Sequence, residues 1–155
     1  MKIVVGSDPW GFELKTAIKE HLVKQGHEVI DAGGQTADDQ APYWETASKA
    51  ARTIQEGKAE RGILFCGTGM GMAIVANKFK GIVASVVESE VSAKLCRAIN
   101  NANVLTMGGL LATSFLATKA VDAFLTTKHT EGFEVHTEFL KKALQEVARI
   151  DDTRF

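Results

Sequence analysis

The chain has 155 residues, 45% of them hydrophobic, and a formal net charge of −1 at neutral pH. That length and apolar content suffice for one buried core and point to a single domain spanning residues 1–155. The near-neutral charge leaves no basic footprint for nucleic acid or a membrane surface, and no apolar run approaches the roughly 18 residues of a membrane-spanning helix.

Two cysteines, Cys66 and Cys96, have neither metal-ligand spacing nor the density of a disulfide framework, so the sequence predicts a protein of a reducing cytoplasm. The histidines, His21, His27, His129 and His136, form no zinc-binding cluster, and neither a metal nor another cofactor is expected.

From the N-terminus, strand and helix alternate. Residues 1–6 are a β-branched run that stops at Ser7-Asp8, which places a carboxylate at the ligand-binding edge of a parallel sheet. A helix over 11–25 puts Phe12, Leu14, Ala17, Ile18, His21 and Leu22 on one face, and Gly26 ends it. His21 is therefore a helix-face residue rather than a catalyst. Residues 27–31 form the second strand, ended by Ala32-Gly33-Gly34, and the polar stretch 35–42 has the length of a loop that lines a site. Helical spacing resumes over 43–55. Tyr43, at its start, either turns its phenol toward a ligand or simply packs.

Residues 61–81, RGILFCGTGMGMAIVANKFKG, carry the strongest signal. A buried strand runs directly into Cys66, then into Gly67-Thr68-Gly69-Met70-Gly71 and a helix through Asn77, a geometry that aims backbone N–H groups at a bound anion. The same N–H groups would stabilise a thiolate at Cys66, although a cysteine so placed can equally be a small buried hydrophobe. The turn lacks the Gly-Lys-Ser/Thr of the P-loop and the glycine spacing of the dinucleotide fingerprint, so neither nucleotide reading is supported.

Beyond it, 82–87 reads as a fourth strand, 89–101 as a helix, 103–107 as a fifth strand and 111–126 as a long helix after Gly108-Gly109. A final amphipathic helix over 133–149 has Phe139, Leu140, Ala143, Leu144 and Val147 as its apolar face. The alternation predicts a three-layer α/β/α, doubly wound, Rossmann-like sheet of five parallel strands with helices on both faces. The terminal helix is the candidate for docking on another subunit; packing on its own domain would give the same pattern.

Several of these residues together resemble a known family. Gly6-Ser7-Asp8 with Gly11-Phe12-Glu13-Leu14-Lys15, Cys66-Gly67-Thr68-Gly69-Met70-Gly71-Met72 with Ala76-Asn77-Lys78, and Asn100-Asn101-Ala102-Asn103-Val104-Leu105 with Gly108 are similar to ribose-5-phosphate isomerase type B and the galactose-6-phosphate isomerase subunits. The resemblance implies a metal-free aldose–ketose isomerase that works on a sugar or sugar phosphate through a cis-enediol(ate), with sheet order 2-1-3-5-4. It implies that Cys66 is the base that moves the proton and that Gly67, Gly69, Met70 and Gly71 line an oxyanion-binding turn, with Thr68 adding a hydroxyl. Asp8 and Asn100 would contact sugar hydroxyls, in a homodimer or homotetramer whose active sites are shared between subunits.

The departures narrow the substrate. Where the family commonly has a histidine after Ser7-Asp8, this chain has Pro9-Trp10, and where it has the ring-opening histidine before Asn100, this chain has Ile99. Arginines common after the fifth strand and after a Glu-Gly pair are absent from Gly108-Gly109-Leu110 and from 131–136, where Glu134 would repel a phosphate. Three substrates remain: a short acyclic phosphosugar, which needs no ring-opening acid; an unphosphorylated sugar, which needs no arginines; or one for which a hetero-oligomeric partner supplies the missing groups. Trp10 fits the first two by filling space or stacking on a sugar face, and equally fits a core residue. His129 and His136 are the candidates for a replacement acid or anion binder. The competing reading is a sugar-binding subunit that keeps the fold and has shed catalysis.

Overall fold

The computed structural model describes residues 1–153. Strands β1 (Lys2–Ser7), β2 (Glu28–Asp31), β3 (Arg61–Cys66), β4 (Ala84–Val86) and β5 (Val104–Gly108) form one parallel sheet in the order β2-β1-β3-β5-β4. The doubly wound sheet and its strand order agree with the sequence expectation. The central strands are buried on both faces, which is why they read as unbroken apolar runs. Ile3, Val5, Ile63, Phe65, Leu105 and Met107 pack beneath α1 (Phe12–Lys24), α4 (Glu90–Ala98) and α5 (Ser114–Thr126). Val4, Leu64, Cys66 and Val104 pack beneath α2 (Tyr43–Gln55) and α3 (Met70–Ala76).

Element ends differ from expectation for local reasons. Strand β4 is shorter than 82–87, because Ile82 and Val87 flank it from loop positions on the edge of the sheet. Helix α4 stops at Ala98 rather than 101: Asn101 adopts φ +50, a left-handed conformation that asparagine tolerates, and Ala102 N–H bonds the Cys96 carbonyl at 3.0 Å. Helix α5 begins at Ser114 rather than 111, since the Thr113 hydroxyl accepts the Leu116 N–H at 3.3 Å and the preceding residues are used in a turn.

The last helix, α6 (Thr137–Asp152), starts after a 3-10 turn at Glu134–His136 and runs past 149. Of its apolar residues only Leu140 is buried, whereas Phe139, Val147 and Ile150 are exposed. Its C-terminal end is tied to the loop before β4, where Gly81 N–H donates to an Asp151 carboxylate oxygen at 3.0 Å and Lys80 pairs with Asp152. Among the described residues, no helix is long and apolar enough to cross a membrane.

Candidate active site

Cys66 is the last residue of β3, and its side chain lies on the α2/α3 face, 5% exposed. The chain must reverse there to enter α3, and Gly69 makes the reversal at φ +79, where a side chain is strained. That conformation turns the Gly69 N–H back onto the Cys66 Sγ at 3.1 Å. The Thr68 hydroxyl accepts the Met70 N–H at 3.3 Å, and the next first-turn amides of α3 have no intrahelical acceptor. The turn thus places one N–H donor on the sulfur, next to the first-turn amides of α3, at the carboxyl edge of the sheet.

Neighbouring strands bring further residues to this edge. Asp8 follows β1 and donates its N–H to the Phe65 carbonyl at 3.1 Å. Its Oδ1 accepts the N–H groups of Trp10 at 2.9 Å and Gly11 at 3.2 Å, which caps the short 3-10 turn Pro9–Gly11. Burial pushes the Asp8 carboxyl above the usual carboxylate range, opposed by those two N–H donors. On the other side of Cys66, its carbonyl accepts Gly109 N–H at 2.7 Å and the Gly67 carbonyl accepts Leu110 N–H at 3.0 Å. Tyr43 opens α2 and packs against α3: a Cβ on Gly71 would fall 2.9 Å from the Tyr43 ring.

The structure therefore gathers Asp8, Pro9, Trp10, Tyr43, Cys66, Gly67, Thr68, Gly69, Met70 and Gly71 around one edge. It does not bring Ile99, Asn100 or His136 to it. Helix α4 carries the chain to the opposite edge, where the Asn103 carbonyl accepts the Gly62 N–H at 2.9 Å. Gly62 and Cys66 are four residues apart on β3, about 13 Å along the strand. The segment that holds His129 and His136 is tied to the same far edge by Thr130 N–H on the Ala98 carbonyl at 2.8 Å. Among the described residues, no three His, Cys, Asp or Glu side chains converge as a metal site.

Residues 3–143 match the model of a family described as ribose/galactose isomerase. The chain belongs to the ribose/galactose isomerase family. It is 48% identical over 154 residues to the 4-deoxy-4-sulfo-D-erythrose isomerase of Clostridium sp. (strain MSTE9), covering 99% of this chain and 97% of that protein. It is 43% identical over 131 residues to ribose-5-phosphate isomerase B of Escherichia coli (strain K12), covering 84% and 87% of the two chains. Among solved structures, Clostridium thermocellum ribose-5-phosphate isomerase B superposes with a TM-score of 0.90 at 34% identity, covering 98% of each chain.

Within this member of the isomerase family Leu110, which the sequence marks only as a place without an arginine, also stands beside the Cys66 turn. Its Cδ1 lies 3.3 Å from where a Gly67 Cβ would stand. Gly108-Gly109 was the available signal, because a glycine pair ending the strand next to β3 must approach whatever follows Cys66; a Cβ on Gly108 would fall 2.6 Å from Thr68 Cα.

Proposed function

We propose that this protein is an aldose–ketose isomerase that interconverts a four-carbon sugar bearing a sulfonate at C4 with its ketose, using Cys66 as the proton carrier. The observation that carries the reading is the Cys66 Sγ held by the Gly69 N–H at 3.1 Å at the start of α3, with a buried Asp8 at the end of the neighbouring strand. A proton next to a carbonyl is a weak acid, so its removal needs a positioned base and donors aimed at the oxygen that becomes negative.

The Cys66 thiolate takes the C2 proton of the aldose, the C2–H electron pair forms the C1–C2 double bond, and the carbonyl π pair moves onto O1. The resulting cis-enediolate oxygen is met by amides of the turn, each such donor worth roughly 3 kcal/mol in the transition state. The Cys66 thiol then returns its proton to C1 while the O2 proton passes to O1, giving the ketose. The Asp8 carboxylate, fixed by two backbone N–H groups, holds a substrate hydroxyl, and Thr68 supplies another polar contact.

The departures at Ile99, Pro9 and Leu110 fit this substrate. A tetrose substituted at C4 has no hydroxyl there to close a five-membered ring, so no ring-opening acid is needed and Ile99 costs nothing. A sulfonate carries a single charge, whereas a phosphate monoester carries about −1.5 to −2 at pH 7, so a site without the family's arginines suits the former. The 48% identity to a sulfo-erythrose isomerase supports the same class.

The exposed apolar face of α6, and the placement of Asn100 on the far edge, support a homo-oligomer in which a second copy brings Ile99 and Asn100 to the Cys66 turn. Free Cys66 and Cys96 suit a reducing cytoplasm. Proton NMR on 4-deoxy-4-sulfo-D-erythrose, D-erythrose 4-phosphate, D-ribose 5-phosphate and free D-erythrose tests the substrate. The sulfo sugar should isomerise with the highest kcat/KM. Preference for either phosphate would overturn the sulfonate assignment, and turnover of none would point to a sugar-binding subunit.

A further inference from the structure

Among the described residues, three buried side-chain nitrogens have no hydrogen-bond acceptor: Arg61 Nε, Arg97 Nε and His129 Nε2. All three belong to the edge of the sheet opposite Cys66. Arg61 opens β3, and the alternation that sends Ile63 and Phe65 into the layer of α1, α4 and α5 sends Arg61 the same way. Arg97, on α4, lies in that layer at 4% exposed, its guanidinium 5.8 Å from the centre of the Phe124 ring. Its Nη1 donates to the Ala102 carbonyl at 2.5 Å, one residue before Asn103, whose carbonyl takes the N–H of Gly62, next to Arg61. His129 follows α5 and is joined to this edge through Thr130, whose N–H meets the Ala98 carbonyl.

The two guanidinium groups are poorly balanced. Each carries five N–H donors, yet each gives a single one to a protein acceptor, Arg61 to the Glu60 carbonyl at 3.3 Å and Arg97 to Ala102. Neither takes part in an ion pair among the described residues. Glu60, beside Arg61 in the chain, turns its carboxylate to the Lys2 N–H at 3.1 Å. Burial, and then the like charge of Arg61, push the Arg97 guanidinium down to about 10, so the pair is close enough to repel. Two neighbouring cations withdrawn from water without an anion are costly to keep.

We propose that Arg61 and Arg97 form a binding site for a small oxyanion at the far edge of the sheet, remote from Cys66 within the chain. Planar forks that present paired N–H groups suit two oxygens of one sulfate, phosphate, carboxylate or sulfonate. Arg61 is only partly buried, which leaves the pair open to solvent from that edge. The Arg97–Ala102 bond closes the turn that carries Ile99 and Asn100, so an anion held here sits against the segment that the proposed homo-oligomer offers to a second copy. The oxyanion is either a free one or the sulfonate of a substrate in that second copy's site, and the latter source rests on the isomerase reading above.

Equilibrium dialysis of radiolabelled sulfate against the intact protein, with ionic strength held by sodium chloride, tests the site. Wild type should bind a single sulfate per chain saturably. Arg61→Met should weaken that binding about tenfold or more, the share of one charge-assisted hydrogen bond. It should also melt at a higher temperature than wild type in sulfate-free buffer, since one of two repelling cations is gone; a merely structural Arg61 would give a lower one. Arg61→Gln, which keeps a polar group at the edge, should lose sulfate by the same factor and serves where the methionine variant does not fold. Displacement of sulfate from Cys66→Ala by 4-deoxy-4-sulfo-D-erythrose assigns the site to the substrate's sulfonate, and no displacement assigns it to a free oxyanion; both support the site. No saturable binding by wild type, or equal binding by wild type and the folded variants, overturns it. Failure of the isomerase reading shows separately, as absence of turnover with sulfate binding intact.

Discussion

Replacing Gly69 by alanine probes the turn without touching a reacting side chain. Gly69 sits at φ +79, and an added Cβ would lie 2.9 Å from the Met107 carbonyl carbon and 3.0 Å from its Cα and N. The left-handed conformation alone costs an alanine roughly 1–2 kcal/mol, and contact against β5 backbone, which cannot swing aside as a side chain would, adds about 1–3 kcal/mol. Gly26 supplies the control. It has φ +83 and nothing within 4 Å of an added Cβ, at the end of α1 away from the site. Gly26→Ala should therefore lose only the conformational share, about 1–2 kcal/mol, with unchanged kcat. Gly69→Ala should lose about 2–5 kcal/mol in urea unfolding and, because the Cys66–Gly69 contact shifts with the turn, about 10²–10³ in kcat. Equal stability losses in the two variants, or wild-type kcat in Gly69→Ala, would refute the argument that the turn's shape holds both thiol and oxyanion.

Asp8→Asn should lower kcat/KM yet raise thermal stability at neutral pH. The carbonyl oxygen of the introduced side-chain amide can still accept the Trp10 and Gly11 N–H groups, and the buried charge is gone. Because burial raises the Asp8 pKa above its ordinary 3.8, the folded state binds this proton more tightly than the unfolded one. The gain over wild type should therefore shrink as pH falls through the raised value, as melting curves across pH would show. Lys15 is 1% exposed and pairs with Asp31 at 3.1 Å; Lys15→Met should cost about 3 kcal/mol in urea unfolding, the low end for a broken buried pair because Lys19 still meets Asp31 at 3.0 Å. Ser89→Ala removes the acceptor of the Ser92 N–H at the start of α4 and should cost about 1 kcal/mol with no change in kcat. Mixing inactive Cys66→Ala and Asn100→Ala subunits should recover about a quarter of wild-type activity after exchange if each site takes Cys66 from one copy and Asn100 from the other, and none if both come from one chain.

The parts of this fold that were legible in the sequence are those whose signals are local. The apolar runs of β1, β3 and β5 announce strands buried on both faces, and the Cys66-to-Gly71 turn is contiguous in the chain. Ends were less legible. Helix α4 stops early because Asn101 takes a left-handed conformation that asparagine does not announce, and α6 starts late because Thr130 and Gly132, at φ +69 and +77, twist the segment before it. Within the site, Leu110 depends on sheet order, which sets β5 beside β3, and this contact cannot be read from spacing. Asn100 and Ile99 belong to motifs as clear as that of Cys66, yet α4 carries them to the far edge of their own sheet. In the proposed homo-oligomer their place in a site is a property of the assembly, for which one chain's periodicity carries no signal.

The central claim is that the Cys66 sulfur carries the proton between adjacent carbons. The most direct test is incubation of wild-type protein and Cys66→Ala with 4-deoxy-4-sulfo-D-erythrose in D₂O, followed by NMR and mass spectrometry of the sugar. The account predicts deuterium at C1 of the ketose, and at C2 of re-formed aldose, with wild type, and no incorporation above the protein-free rate with Cys66→Ala. Incorporation at the wild-type rate by Cys66→Ala would contradict it.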